Sequence, residues 1–219
     1  MQSELHEKVC ASCGACRQFV PENVDLTICL AGQTGNAGLV VDAGSMDGEK
    51  VLKKMGGESV EPDAGRQAAI DAIMAWRKPR RESMIAAAAE RMADMALFQQ
   101  TIANCLNCYN CRSACPVCYC RECVFLTDVF AHRPEILMGR AKKRGAVKLP
   151  TDTTMFHITR MAHIAHACVG CGQCSSVCPS HIPVADLFIT VAEKVQDHYA
   201  YVPGQDPLRP WPFLVEATE

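Results

Sequence analysis

Residues 151–167 read TDTTMFHITRMAHIAHA, and apolar side chains return at helical spacing. The segment predicts an amphipathic helix running straight into Cys168. Three other stretches behave alike. In EPDAGRQAAIDAIMAW (61–76) apolar residues recur near i, i+3 and i+4, with Pro62 where a first helical turn tolerates it. Lys78-Pro79 is expected to end that helix. RESMIAAAAERMADMALFQQTIA (81–103) is rich in strong helix formers and predicts the next one. VADLFITVAEKVQDHYA (184–200) predicts another, just after Pro183. Near the N-terminus the pattern changes. DLTICLAGQTGNAGLVVDAG (25–44) has short apolar runs broken by Gly, Asn and Asp, which suits two or three short strands with tight turns. The chain should therefore be mainly α (α+β).

This pattern divides the chain into four parts. Residues 1–58 form a small cysteine-containing α/β subdomain, and 59–104 a helical hairpin linker. Residues 105–200 carry most of the thiols. Residues 201–219 end in YVPGQDPLRPWPFLVEATE, whose four prolines and large apolar Trp211 and Phe213 suit an extended docking tail.

Charge and composition exclude several classes. A net charge of −2 gives no electrostatic reason to expect nucleic acid or an anionic membrane. No apolar run is long enough to span a bilayer. MQSELHEKVC lacks the basic and apolar regions of a signal peptide. The expectation is a cytoplasmic protein, where thiols stay reduced. The odd count of 15 cysteines then points to metal rather than disulfides.

Eleven of those cysteines lie between residues 105 and 183. Cys105, Cys108, Cys111 and Cys115 follow C-x2-C-x2-C-x3-C with Pro116 next. Cys168, Cys171, Cys174 and Cys178 repeat the run with Pro179 next. This is the spacing of two-cluster bacterial ferredoxins, in which the fourth cysteine of each run serves the other cluster. The expected [4Fe–4S] ligand sets are thus crossed: Cys105, Cys108, Cys111 and Cys178 for one, Cys168, Cys171, Cys174 and Cys115 for the other. Zinc is the alternative, but it is satisfied by two C-x2-C pairs and does not need this run twice. The long connection between the runs favours an α-helical ferredoxin-like arrangement, with helices packing the two motifs together.

Cys10, Cys13 and Cys16 repeat the triple at the N-terminus without a following Cys-Pro, and the next cysteine is Cys29. A third [4Fe–4S] cluster is expected there, its fourth ligand being Cys29 or one of the remaining thiols. Cys118, Cys120 and Cys123 supply a missing ligand, or a fourth cluster with Cys29, or stay free.

Together, VCASCGACRQFVPENVDLTICLAGQTG, NCLNCYNCRSACPVCYCRECVF and FHITRMAHIAHACVGCGQCSSVCP resemble the β-subunits of F420-reducing hydrogenase and of F420-linked formate dehydrogenase. The likeness covers most of residues 8–190. Full-length members carry an N-terminal flavin and F420 domain, and this chain begins where that domain would be mostly finished. The resemblance implies an electron-transfer subunit of a larger, anaerobic oxidoreductase complex. It implies as partners a molybdenum or tungsten formate dehydrogenase-like catalytic subunit and a heterodisulfide reductase-like flavoprotein. FAD would sit in a partner or at an interface, and the turn AGQTGNAG either meets it there or serves only to connect strands.

No catalytic acid, base or nucleophile stands out. His157, His163 and His166 are expected to pack or hydrogen-bond beside the second motif. Arg140, Lys142, Lys143 and Arg144 read as a basic run in a solvated loop, and Met84, Met92 and Met95 as core filler. Two other classes compete with the subunit reading. One is a flavin-dependent F420 reductase-type enzyme, which requires its own flavin. The other is a free soluble ferredoxin, which fits the modest net charge less well.

Overall fold

The computed structural model describes residues 20, 23–31, 39–57, 64–118, 120–127, 133–145, 151–206 and 208–210. Cys10, Cys13, Cys16, Trp211 and Phe213 lie outside them. The chain is mainly helical with one small antiparallel sheet. It divides into two units, residues 1–84 with 202–219, and residues 85–201. Among the described residues no helix is long and apolar enough to cross a membrane.

In the first unit, strands β1 (Leu26–Cys29) and β2 (Val40–Ala43) pair antiparallel, with Leu26 opposite Ala43 and Cys29 opposite Val40. Helix α1 (Met46–Met55) follows, and the strand pattern did not foretell it. Its ends carry clear signals. The Ser45 hydroxyl accepts from the Gly48 N–H at 3.1 Å, acidic Asp47 and Glu49 occupy the first turn, and left-handed Gly56 closes the last. In the part of the chain after residue 201, the Gln205 carbonyl accepts from the Asn23 side-chain amide at 2.9 Å.

Helix α2 (Ala64–Arg91) corrects the expected break at Pro79, because it runs straight through that residue. Proline removes one backbone donor and crowds the carbonyl four residues back, but strong helix formers flank it on both sides. The chain instead breaks at 92–94, where the Asp94 carboxylate accepts from the Leu97 N–H at 2.8 Å and starts helix α3 (Met95–Thr101).

The second unit continues with α4 (Asn110–Ser113), α5 (Pro134–Arg144), α6 (Thr151–Ile164), α7 (Gln173–Ser176) and α8 (Val184–His198). The basic run at 140–144 is the end of α5 rather than a loop. Gly145 caps the helix, and the positive side chains of Lys142, Lys143 and Arg144 complement the negative end of its dipole. The core gathers Phe98, Ile102, Phe125, Phe156, Ile164, Leu187 and Phe188. Cys105, Cys111, Cys115, Cys174 and Cys178 pack into or against this same core, so the thiols are part of what the helices enclose. Helix α8 packs on α6, on α7 and on the 3-10 turn Ala165–Ala167. The buried Gln196 amide donates to the Ala165 and Cys168 carbonyls at 2.8 and 2.9 Å and so fixes the entry to the second cysteine run.

Candidate metal centres

The two cysteine runs fold into the same loop, offset by 63 residues. The Cys115 N–H bonds to the Arg112 carbonyl as that of Cys178 does to Ser175, and Cys118 N–H to Cys115 as His181 to Cys178. Tyr109 and Gly172 each precede a single helical turn, α4 or α7, and each carbonyl accepts from the N–H groups of that turn's third and fourth residues. The loops share two left-handed positions. In the second they are Gly170 (φ +70°) and Gly172 (φ +76°), where the absence of a Cβ removes the cost. In the first they are Asn107 (φ +52°) and Tyr109 (φ +59°). Asn tolerates this region, whereas Tyr rarely does. Tyr109 is held there by an edge-on contact with Phe156, with ring centres 4.8 Å apart. The conformation has a chemical use: the N–H of Asn107 donates to Cys105, and that of Gly170 to Cys168.

Helix α4 packs against α7, which brings the runs together. Cys105, Cys108, Cys111 and Cys178 line one cavity, with Tyr109, Phe156 and His157. Cys168, Cys171, Cys174 and Cys115 line a second, with Ile164, Phe188 and Ile189. Each cavity therefore takes three thiols from one run and one from the other. No described cysteine is in a disulfide. Among the described residues no three His, Cys, Asp or Glu side chains converge to hold a single metal ion. The thiols stand around a space instead.

Burial dominates the electrostatics of the frame. It pushes the Cys111 thiol up to about 11 and the Cys174 thiol up to about 12, and it raises Cys105 and Cys168 as well. Arg160 opposes that rise at Cys111, Cys174 and Cys168. Its side chain is only 3% exposed. One amino group donates to Cys111 Sγ at 3.1 Å, and the other to the Cys111 carbonyl at 3.0 Å. It also hydrogen-bonds Cys118. The guanidinium lies 4.9 Å from the centre of the Phe188 ring and 5.5 Å from that of Phe156. Among the described residues no carboxylate pairs with it, and its Nε has no hydrogen-bond partner. A buried cation without an anion is costly. Four-thiolate [4Fe–4S] clusters are anionic, so the residues present fit such a group.

His157 also meets the first frame. Its Nε2 is 3.4 Å from Cys105 Sγ, and burial, followed by the charge of Arg160, lowers its pKa to about 4. It stands beside Cys105, in the first run, rather than beside the second. Thr153 donates to the Asn107 side-chain oxygen at 2.9 Å. His166 is buried in the 3-10 turn and His163 is exposed on α6. Arg160 and Thr153 were not singled out from the sequence. Their signal was position, since Thr153, Phe156, His157, Arg160 and Ile164 share one buried stripe of α6.

The other cysteines stand elsewhere. Cys29 is buried in β1, where its thiol donates to Asp42 at 3.2 Å while Arg66 pairs with the same carboxylate at 2.5 Å. Burial, then this hydrogen bond, raises its pKa. Cys118 and Cys123 are half-buried and Cys120 is exposed, and neither cavity is lined by them.

Comparison with known proteins bears on this geometry directly. Residues 101–182 match the family described as 4Fe-4S dicluster domain. The chain is 35% identical over 112 residues to F420-dependent formate dehydrogenase subunit beta of Methanocaldococcus jannaschii, covering 51% of this chain and 26% of that protein. It is 41% identical over 106 residues to F420-dependent formate dehydrogenase 1 subunit beta of Methanococcus maripaludis, covering 48% and 24%. About half of this chain is thus similar to part of those β-subunits, and both cysteine runs fall within the matched dicluster domain. The chain spans about a quarter of the length of these relatives.

Proposed function

We propose that this chain is an iron–sulfur electron-transfer subunit that passes electrons singly between a formate dehydrogenase-like molybdenum or tungsten subunit and a flavoprotein of the heterodisulfide reductase kind. The observation that carries the reading is the pair of adjacent cavities, each framed by three cysteines of one run and the fourth of the other. Cys105, Cys108, Cys111 and Cys178 would hold one [4Fe–4S] cluster, and Cys168, Cys171, Cys174 and Cys115 the second. Such clusters supply one-electron storage at potentials set by charge, hydrogen bonds to sulfur and exposure. The chain's own groups provide those settings. The Asn107 and Gly170 amides donate to Cys105 and Cys168, Arg160 donates to Cys111, and Phe156, Phe188 and Ile164 keep water from the inner faces.

A third cluster on Cys10, Cys13 and Cys16 would take Cys29 as its fourth ligand. Ligation there replaces the thiol proton now shared with Asp42, and Arg66 remains to pair with that carboxylate. FAD belongs to a partner, and the complex is placed in the cytoplasm of an anaerobe. The test is anaerobic purification of the native protein, with iron, flavin, molybdenum and tungsten quantified on one sample. Co-purification with a molybdenum or tungsten subunit or a flavoprotein, at about twelve irons per chain for three four-iron clusters, is expected. A lone monomer would overturn the subunit reading, and a lone chain holding its own flavin would make it an enzyme.

A further inference from the structure

We infer that Arg160 is a shared positioning cation, which raises the reduction potentials of both clusters together and lets them be reduced in tandem. The inference rests on the two-cluster reading above. Its basis is the placing of the guanidinium on α6, against both Phe156, which lines the first cavity, and Phe188, which lines the second. On one side it donates to Cys111 Sγ and the Cys111 carbonyl. On the other its charge acts on Cys168 and Cys174, which line the second cavity. Cys111 and Cys174 also feel one another, as neighbours across α4 and α7 must. The flanking rings of Phe156 and Phe188 keep the side chain where it is, and burial keeps water from screening it.

The electrostatic consequence follows from the sign. Each reduction adds one electron to an already anionic cluster, supplied by the upstream donor of the relay, and breaks no bond and moves no proton at Arg160. A fixed positive charge favours the more negative state, so it favours the reduced form in either frame. The second electron repels the first across the short distance between frames, and a cation beside both offsets part of that repulsion. Arginine suits this place because it stays charged at every working pH and its fork reaches sulfur and carbonyl at once. Cys111 receives a direct hydrogen bond to sulfur, whereas no such bond joins Arg160 to a thiol of the second frame among the described residues. The first cluster should respond more strongly.

The experiment is an anaerobic redox titration followed by electron paramagnetic resonance, on the full chain and on Arg160→Gln and Arg160→Lys. Arg160→Gln should shift the first cluster's reduction equilibrium at least tenfold towards the oxidised form, 59 mV for one electron. It should shift the second in the same direction by less. Arg160→Lys, which keeps the charge and loses the fork, should restore most of the second cluster's potential but only part of the first's. Potentials unchanged in Arg160→Gln at full iron content would overturn the inference while leaving the clusters in place. Absence of any [4Fe–4S] signal in the unaltered protein would instead sink the functional reading. If neither variant loads iron, the unaltered protein labelled with nitrogen-15 arginine decides. Hyperfine coupling from arginine nitrogen to both reduced signals supports a shared cation, and coupling to neither, or to only one, overturns it.

Discussion

Tyr109 and Gly172 occupy equivalent places in two loops that bond alike, and only one of them is free of steric cost. At Gly172 a Cβ would meet the following carbonyl, so Gly172→Ala should cost about 1–2 kcal/mol, seen as a lower melting temperature of the loaded protein. An unchanged melt would mean that the loop can relax out of the left-handed region. At this scale the sequence was legible where chemistry dictates spacing. The grouping of eight cysteines into two frames could be read from two repeats, because the repeated spacing closes each run into a short loop. Arg160 was not, since a cation is taken as solvated until something shows what buries it. Here Phe156 stands one turn before it on α6 and Cys111 lies across the core. Tyr109 hid in the same way, because nothing in its own side chain favours positive φ.

Helices were legible wherever an apolar stripe repeated, and their ends were less so. Helix α2 passes through Pro79 because the helix formers around it outweigh the lost donor, and the break falls where Asp94 can cap a new start. Pro79 is exposed, so replacing it has no packing consequence. Pro79→Ala should therefore raise stability by about 1–3 kcal/mol, measured as a higher melting temperature. A decrease would show that the proline serves a bend. Helix α1 went unread because its evidence lies in caps rather than in a long periodic stripe. The exchange of a fourth cysteine between loops is also an element-scale matter, since it depends on α4 packing against α7. Cys178→Ser should damage the site framed by Cys105, Cys108 and Cys111 and spare the one nearest in sequence. Resonance spectra of the reduced variant distinguish the two outcomes, and loss of the second site alone would contradict the crossed frames.

At the scale of the molecule, Cys111 lies in the core of the second unit and Cys105, Cys115, Cys174 and Cys178 pack against it, so metal binding should be coupled to folding. The frame holds thiols whose ionisation burial opposes, with Cys111 near 11 and Cys174 near 12, beside Arg160, which no carboxylate pairs among the described residues. An anionic cluster would offset the charge of Arg160. The iron-free chain should therefore lack fixed tertiary structure. Near-ultraviolet circular dichroism checks this, and a native-like signal without iron would refute it. The mainly helical class could be read from periodicity, and so could the convergence of the two runs. The division of the chain at residues 84–85 could not, because α2 runs across it with no break in composition.

The central claim is that two crossed cysteine frames hold cubane clusters, and one measurement addresses it most directly: iron, acid-labile sulfide and zinc counted on the same anaerobically purified chain, with its spectrum after reduction. The account predicts iron and sulfide in equal amounts, at least about eight of each per chain for two four-iron clusters, and the signals of reduced [4Fe–4S] centres. Zinc bound without labile sulfide would contradict it.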